Sequence, residues 1–251
     1  AIAEDSGVRV ITQTELLANA NDVDGDTLTA SGLAISAGSG GALADNLNGT
    51  WNYTPAANDN TSVSFSYTIS DGNGGSVAGT ATMDITPVND APVVSSIEAT
   101  ALSYAENAAA TAITSSATVS DVDNTNLSSA TVQITANYVN GEDVLAFANT
   151  LTITGAWNSG TGTLTLSGSD TLANYQTALR AVTYANTSDN PSALTRTVTF
   201  IVNDGLLSST AATRAIAVTP VNDAPTTSAV TLTAIAEDSG VRVITQTELL
   251  A

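Results

Sequence analysis

The sequence contains no cysteine, no histidine and no lysine among its 251 residues. Without cysteine there are no disulfides, so a rigid chain would need another source of stiffness, such as bound metal. Without histidine and cysteine, the usual general base, the thiol nucleophile and the common zinc and copper ligands are also missing. We therefore expect that the protein is not an enzyme.

Positive charge is scarce as well. Five arginines stand against 24 acidic residues, which gives a formal net charge of −19. Nucleic acids and anionic membranes attract proteins through basic patches, so neither is an expected partner. No apolar run has the length that a membrane span needs, and we expect no direct membrane insertion. An acidic chain of this kind is compatible with bound cations.

Aliphatic residues, in contrast, are abundant. Hydrophobic residues make up 43% of the chain and charged residues only 12%, and the length is sufficient for two cores. Short runs with β alternation, such as Val63–Ser70 and Val77–Thr86, are separated by Gly- and Asn-rich turns. This pattern predicts antiparallel β-sandwiches with almost no helix. One exception is Thr12–Glu15, which fits a capping box for a single helical turn.

Two repeats fix the organisation of the chain. Residues Ala1–Ala18 reappear without change as Ala234–Ala251, which indicates a tandem array. The hexapeptide PVNDAP occurs twice, as Pro87–Pro92 and Pro220–Pro225. These segments predict a first domain over residues 1–92, a longer second domain over residues 93–225, and the start of a further repeat over residues 226–251.

The second predicted domain repeats the plan of the first with an insertion. Tyr104–Asn107 corresponds to Ile2–Asp5, and the later strands and turns follow in the same order. The extra length lies between residues 131 and 181. It contains a hairpin-like stretch, Trp157–Gly162, and a predicted short helix, Leu172–Arg180.

Each hexapeptide is a stiff joint with oxygen donors. The prolines fix φ and remove backbone donors, so the segment can neither continue a central strand nor enter a helix. Between the prolines of the first copy lie Asn89 and Asp90, which offer an amide and a carboxylate oxygen. A stiff acidic joint between β domains suggests a site for a hard cation. The alternative is an ordinary Pro-rich linker with a turn-forming Asn-Asp pair.

Several short motifs together resemble a cadherin-type repeat: a glutamate near the start, Asp-x-Asp after the second strand, Asp-Gly before the last strand, and the closing PVNDAP. More closely, the chain is similar to the cadherin-like tandem repeats of large bacterial secreted adhesins of the RTX type. The resemblance implies two cadherin-like or immunoglobulin-like antiparallel β-sandwiches in tandem, with an extracellular location on the bacterial cell surface. One departure is the mid-domain Asp-x-Glu signature, in whose place stand Asn58–Asn60 and Asp189–Asn190.

The resemblance also implies that Ca²⁺ binds at the linkers, through carboxylate, amide and carbonyl oxygens. It places the ligands in three groups. The first linker would bring together Asn89, Asp90, Asp121, Asp123 and Asp204, with Glu4 and Asp59 added from the first domain. Asp22, Asp24 and Asp71 would form the equivalent group at the other end of the first domain, and Glu106, Asn222 and Asp223 would contribute to the second linker.

On this basis we expect a structural and adhesive role, as a stalk segment stiffened by calcium between neighbouring repeats of the same array. The alternative is a carbohydrate- or protein-binding module. Trp51 and Trp157 could form a stacking platform for a sugar. However, Trp51 lies in an alternating strand and is expected in the core, whereas Trp157 lies in a polar hairpin and is expected to be exposed.

The duplicated 18 residues raise a further expectation. Ala234–Ala251 has an apolar face without partners in its own unit, and its sequence equals that of Ala1–Ala18. It could therefore replace that segment in another copy of the chain, which would give head-to-tail self-association. Fraying of an exposed terminus is the alternative.

Overall fold

The fold consists of two blocks of short strands on either side of Pro87–Pro92, which we call the first linker. The computed structural model describes residues 1–250. The block that precedes the linker is the first domain. In chain order it contains β1 (Ile2–Ala3), β2 (Arg9–Thr12), α1 (Gln13–Leu16), β3 (Thr29–Ala37), β4 (Ala42–Asp45), β5 (Thr50–Thr54), β6 (Val63–Ser70), β7 (Ser76–Met83) and β8 (Ile85–Thr86).

The second domain follows the first linker and ends at Pro220–Pro225, the second linker. Its elements are β9 (Val93–Ser95), β10 (Leu102–Ala105), β11 (Thr111–Ala112), β12 (Thr118–Ser120), β13 (Asn126–Ala136), β14 (Asp143–Ala146), β15 (Thr154–Asn158), β16 (Thr163–Thr171), α2 (Leu172–Ala181), β17 (Thr183–Asn186), β18 (Arg196–Asn203) and β19 (Ala212–Thr219).

Both domains are antiparallel β-sandwiches with one parallel strand pair. In the first domain, the sheets β2-β5-β4 and β3-β6-β7 face each other, and β1 pairs in parallel with β8. In the second domain, β11-β17-β14 faces the six-stranded sheet β10-β19-β18-β13-β16-β15, and β10 pairs in parallel with β19. A separate pair, β12-β9, closes one side of the second domain. The expected all-β class is confirmed.

Strict alternation of side chains builds each core. Trp51 and Tyr53 on β5 are buried while their neighbours are partly exposed. On β18, every second residue from Arg196 to Val202 is fully buried, as the period of two in a strand requires. The first core draws on residues from Ile2 to Ile85, and the second on residues from Val94 to Val218.

The two expected helices are present, and each begins after a threonine that caps its N-terminus. Thr12 caps α1, and Glu15 returns the hydrogen bond to the Thr12 backbone, so the capping box is confirmed. The hydroxyl of Thr171 accepts from the Asn174 amide and caps α2. The insertion of the second domain therefore adds β15, β16 and α2 to one side of the sandwich.

The terminal segment, Thr226–Leu250, contains no strand and one short helix, α3 (Gln246–Leu249). Its apolar residues Val241, Val243 and Leu250 are largely exposed. In residues 1–250 no helix has both the length and the apolar character needed to cross a membrane.

Candidate metal centre

A glutamate of the first domain fixes the first linker. The parallel pairing of β1 with β8 places Glu4 beside the chain that leaves the domain, and the Glu4 amide donates to the Thr86 carbonyl at 2.9 Å. The Glu4 carboxylate is buried, and its Oε1 accepts a hydrogen bond from the amide of Val88 at 2.8 Å. The linker therefore leaves the domain in a direction set by this side chain.

The second linker repeats this arrangement. The Glu106 amide donates to the carbonyl of Thr219 at 3.0 Å, and Glu106 Oε2 accepts from the amide of Val221 at 2.7 Å. A single glutamate after a strand does not by itself predict this bond, because such a residue is usually solvated. The equivalence of Glu4 and Glu106 in the repeat is the signal that could have found it.

The middle of the first linker contacts the second domain. The side-chain amide of Asn89 donates to Asp204 Oδ2 at 2.7 Å, and the backbone amide of Asp90 donates to Asp123 Oδ2 at 2.6 Å. Asn124, which sequence reasoning missed, donates from its side chain to Asn89 Oδ1 at 2.7 Å. The structure thus brings together the linker and both acidic loops of the second domain.

Turns within the two loops hold the carboxylates in place. Asp121 Oδ1 accepts from the amides of Asp123 at 3.0 Å and of Asn124 at 2.8 Å. Asp204 Oδ1 accepts from the amides of Leu206 and Leu207 at 2.6 and 2.7 Å. Burial acts to raise the pKa of Asp204, but hydrogen bonds from Asn89 and from these two amides outweigh burial and lower it. Asp204 is therefore held as a carboxylate.

Asp90 lies where negative charge concentrates. Desolvation raises the pKa of Asp90, and the carboxylates of Asp123, Asp5, Glu4 and Asp121 raise it further, in that order. Asp5 was not among the predicted ligands. Its backbone is in the left-handed region, at φ 58°, which Asp tolerates better than most residues.

Two carboxylate oxygens of this group have no hydrogen-bond partner. Asp90 Oδ2 and Asp121 Oδ2 are both buried, and neither has a partner within residues 1–250. A buried, unpaired carboxylate oxygen is costly unless a cation or a donor satisfies it. The donor set consists of oxygens alone, which fits a hard cation such as Ca²⁺.

No arginine is available to neutralise the group, because each one is engaged elsewhere. Arg9, Arg196, Arg214 and Arg242 pair with Glu15, Asp143, Glu98 and Glu248, and Arg180 donates to the carbonyl of Ala117. The linker residues present therefore fit a bound divalent cation. Asn89, Asp90, Asp121, Asp123 and Asp204 would hold it, with Glu4 and Asp5 at its edge.

Asp59, a further predicted ligand, has local partners instead. Its carboxylate accepts from the Thr61 amide at 2.9 Å, and hydrogen bonds from Thr61, Ser39 and Gly40 lower its pKa. Its neighbour Asn58 donates its backbone amide to Asp5 at 3.2 Å and lines, with Asn60, a groove of about 550 Å³ beside the linker. Asn58 thus lies nearer to the linker acids than the sequence suggested.

The opposite end of the first domain carries a second acidic group. Carboxylate oxygens of Asp22, Asp26 and Asp71 lie within 4.8 Å of one another. Among residues 1–250, these are the three acids whose carboxylate oxygens lie this close together. Asp22 and Asp71 were predicted, whereas Asp26 was not. Asp24 lies outside this group, and its amide donates to Asp22 Oδ1 at 2.9 Å.

The second linker contains some of the same oxygen ligands as the first linker. Asn222 donates to the carbonyl of Asp223 at 3.1 Å, as Asn89 does to that of Asp90 at 2.9 Å. Glu106 Oε1 is buried without a hydrogen-bond partner in the described residues, while Asn222 and Asp223 are exposed. The three predicted ligands of this linker therefore lie at one joint.

The two tryptophans differ from each other. Trp51 is buried in the first core, as predicted. Trp157 is only partly exposed, because its ring packs edge-on against Tyr138, with ring centroids 6.2 Å apart. The expectation of an exposed Trp157 is therefore met only in part. The rings of Trp51 and Trp157 do not form a joint platform for a sugar, since they belong to different domains.

Residues 1–86 match the family described as the cadherin-like domain. No curated protein matches the sequence. Among solved structures, mouse Cadherin-23 EC22-24 is 14% identical, with a TM-score of 0.39, over 82% of this chain and 57% of that one. Protocadherin Gamma B2 extracellular cadherin domains 1-5 is 17% identical, with a TM-score of 0.33, over 81% of this chain and 35% of that one.

A further similar structure is the endo-fucoidan hydrolase MfFcnA4 from glycoside hydrolase family 107. It is 19% identical, with a TM-score of 0.27, over 88% of this chain and 27% of that one. This chain therefore spans between about a quarter and three fifths of the length of these structures.

Proposed function

We propose that this chain is a calcium-stiffened extender: two β-sandwich domains whose relative orientation is set by a cation at the linker between them. The observation that carries the proposal is the pair of buried, partnerless oxygens of Asp90 and Asp121 inside a group of acids without a neighbouring arginine. A cation there would give these oxygens a partner and offset the mutual repulsion of the group.

The cadherin-like match over residues 1–86 points to an extracellular adhesion or extender module. We extend this to a stalk in a repetitive adhesin of the RTX type on a bacterial surface, on the strength of the linker and loop motifs. The repetition of Ala1–Ala18 at Ala234–Ala251 supports a long array of such units, which neighbouring repeats would continue. The proposed role is non-catalytic, in keeping with a chain that has no histidine and no cysteine.

The experiment is a comparison of small-angle scattering and circular dichroism with and without a calcium chelator. Each domain has its own core, so we expect the β signal to persist, whereas the linker depends on charges that need a cation. Chelation should therefore broaden the distribution of interdomain distances. Identical scattering curves in calcium and in chelator would contradict the proposal.

A pair of variants localises the effect. Asp121→Ala with Asp123→Ala should abolish the tightest calcium-binding event in calorimetry and reproduce the scattering of the chelated protein. The control is Asp45→Ala with Glu142→Ala, which removes the same charge at two positions outside all of the predicted ligand groups, one exposed and one half-buried. If the control loses the event equally, the binding reflects net charge and not a built site.

A ligand-binding module is the second candidate, favoured by one feature of the insertion. A cavity of about 460 Å³ lies between the chain around Leu151 and α2, and it is lined by both apolar and hydroxyl side chains. The first domain has no insertion there. A glycan array on the whole chain, with and without calcium, separates this role from that of a spacer.

A further inference from the structure

The cavity of about 460 Å³ in the second domain belongs to a part of the chain that the first domain lacks. In each domain an antiparallel pair, β4 with β5 and β14 with β17, occupies the same place in the smaller sheet. A short turn, residues 46–49, joins β4 to β5, whereas residues 147–182 join β14 to β17. Every residue that lines the cavity lies within residues 147–182. The sandwich itself therefore does not need the cavity.

One wall of the cavity is the chain at residues 147–153, which hydrogen bonds hold in place. The Thr150 amide donates to the Ile153 carbonyl at 2.9 Å, and the Ile153 amide donates to Thr150 Oγ1 at 2.9 Å. Gly168 on β16 approaches this wall so closely that a Cβ there would lie 1.9 Å from the Thr152 carbonyl oxygen. The wall is thus formed before any ligand binds, which lowers the entropic cost of binding.

The other wall is one face of α2. Asn174, Thr177, Ala178 and Ala181 line the cavity, and they share this face because they lie three or four positions apart. The two alanines have small side chains, which leave the space open. Ala178 and Ile153 are buried, whereas Asn174 and Thr177 are exposed. The deep part of the cavity is therefore apolar and its rim is polar.

Asp170 is the one charged residue in the lining that residues 1–250 provide. Its Oδ1 accepts from the Thr171 amide at 2.8 Å and from the Asn174 side chain at 2.7 Å, and its Oδ2 accepts from the Thr152 hydroxyl. These hydrogen bonds, above all that from Thr152, lower the pKa of Asp170. A carboxylate has about four acceptor positions, so Asp170 can still accept a hydrogen bond from a ligand.

This lining selects the class of ligand. An anion would meet the carboxylate of Asp170 and no arginine of the lining, so anions are disfavoured. An ammonium group would pair with Asp170, but it has no acceptor for the remaining N–H of Asn174. A neutral sugar offers hydroxyls that both donate and accept, and its ring has an apolar face for side chains such as Leu151 and Ile153. The volume is within the range of small-molecule sites, about 300–1,000 Å³.

We propose that this cavity binds a neutral saccharide, whose ring packs against Leu151 and Ile153 and whose hydroxyls bond to Asp170 and Asn174. The inference rests on the second candidate function, the ligand-binding module, and gives that function a site and a ligand class. It does not depend on the cation at the first linker. Calcium needs six or more oxygen ligands, and Asp170 has no second carboxylate beside it in the lining. Sugar binding should therefore persist in a calcium chelator.

Saturation-transfer NMR on the 251-residue protein tests the ligand class. The neutral probes are the methyl glycosides of glucose, galactose and mannose, and the anionic probe is sialic acid. We expect transfer to at least one neutral probe and none to sialic acid, in calcium and in chelator alike. Transfer to none of the neutral probes, or a preference for sialic acid, overturns the proposal. Binding that disappears in chelator also overturns it, because the sugar would then depend on a cation.

Two variants of α2 locate the binding. Ala181→Phe places a ring in the cavity, whereas Ala173→Phe makes the same change at an exposed position of the same helix outside the lining. We expect Ala181→Phe and Asp170→Asn each to weaken sugar binding at least about tenfold, because they remove space and a charged acceptor. Ala173→Phe should bind like the parent protein, and circular dichroism checks that each variant is folded.

Equal affinity of Ala181→Phe and Ala173→Phe for the sugar overturns the assignment to this cavity. Small-angle scattering keeps the two functions apart. Ala181→Phe should show the same response to chelator as the parent protein, because the cavity lies away from the first linker residues in the donor set. Loss of sugar binding with an unchanged scattering response therefore supports the saccharide site whether or not the linker binds calcium.

Discussion

The two domains share one architecture but differ in how they fill one position near the end of the sandwich. In the second domain, Arg196 and Asp143 are both fully buried, and Arg196 Nε lies 3.3 Å from the carboxylate. Tyr184 and Asn186 also donate to Asp143 Oδ1, at 2.6 and 2.8 Å. The four side chains of Asp143, Arg196, Tyr184 and Asn186 thus form one network around a buried ion pair.

The first domain has no charge at this position. Val63 replaces Arg196, Pro55 replaces Asn186, and Gly41 lies where the strand pairing places Asp143. Tyr53, the counterpart of Tyr184, is buried, but its hydroxyl has no partner within residues 1–250. A Cβ at Gly41 would lie 2.7 Å from that hydroxyl, so no side chain fits there.

The difference shows that the fold itself does not need the network. The same two sheets form around an apolar position in one domain and around an ion pair in the other. The network changes how much stability a substitution at this position removes. A buried ion pair that loses one partner leaves an uncompensated charge, whereas an apolar site loses only packing contacts.

The largest expected effect comes from breaking the pair. Asp143→Ala should destabilise the second domain by about 3–5 kcal/mol, since it leaves Arg196 buried without its counter-charge. Urea unfolding followed by the fluorescence of Trp157, in a background without Trp51, measures this domain separately. Asp143→Ala combined with Arg196→Met should lose less than Asp143→Ala alone. A larger loss in the double variant would show that the charge is not what matters.

A smaller effect distinguishes the two tyrosines directly. Tyr184→Phe should cost the second domain about 1.5–3 kcal/mol, because it removes a buried hydrogen bond to a carboxylate. Tyr53→Phe removes a hydroxyl that has no partner, so the first domain should be at least as stable as before. The same unfolding assay, read through Trp51 for the first domain, compares them. Equal losses in the two domains would contradict the contrast.

The smallest expected effect is on how the stability of the second domain depends on pH. Burial of Glu98 acts to raise its pKa, but hydrogen bonds from Thr114 and Ser115 outweigh burial and hold the pKa well below its ordinary value of 4.5. The stabilisation from Glu98 is therefore fully present above about pH 4.5 and declines as the pH falls below it. Acid unfolding of the second domain should be shallower in Glu98→Gln. An unchanged slope would assign the acid sensitivity to other groups.

Local sequence predicted much of this architecture. The alternating runs became strands, and the capping box at Thr12 and the helix over Leu172–Ala181 follow from residues close together in the chain. The resemblance to cadherin-type repeats, and not local spacing, implied that the first linker meets its two loops, since Asn89 and Asp204 lie 115 positions apart. Short-range chemistry decides the strands and the helices.

The remaining features depend on long-range packing. Asp143 and Arg196 lie 53 positions apart and look like surface residues until the fold buries them together. Asp59 is held by hydrogen bonds with Ser39, and Asp5 takes a place beside Asp90, for reasons that no local pattern contains. The internal repeat is the one source that could have revealed the ion pair, because it sets Arg196 against Val63.

The parallel pairing of β1 with β8 and of β10 with β19 also determines how each domain bears tension. In the second domain the chain passes through β9 before it reaches β10, and it leaves at the end of β19, so a pull that reaches β10 drives β10 and β19 past each other along their length. The force then acts on all paired residues of the two strands at the same time, and not on one pair after another. Four residue pairs share the load in the larger domain, from Leu102 to Ala105, whereas two share it in the smaller one, at Ile2 and Ala3.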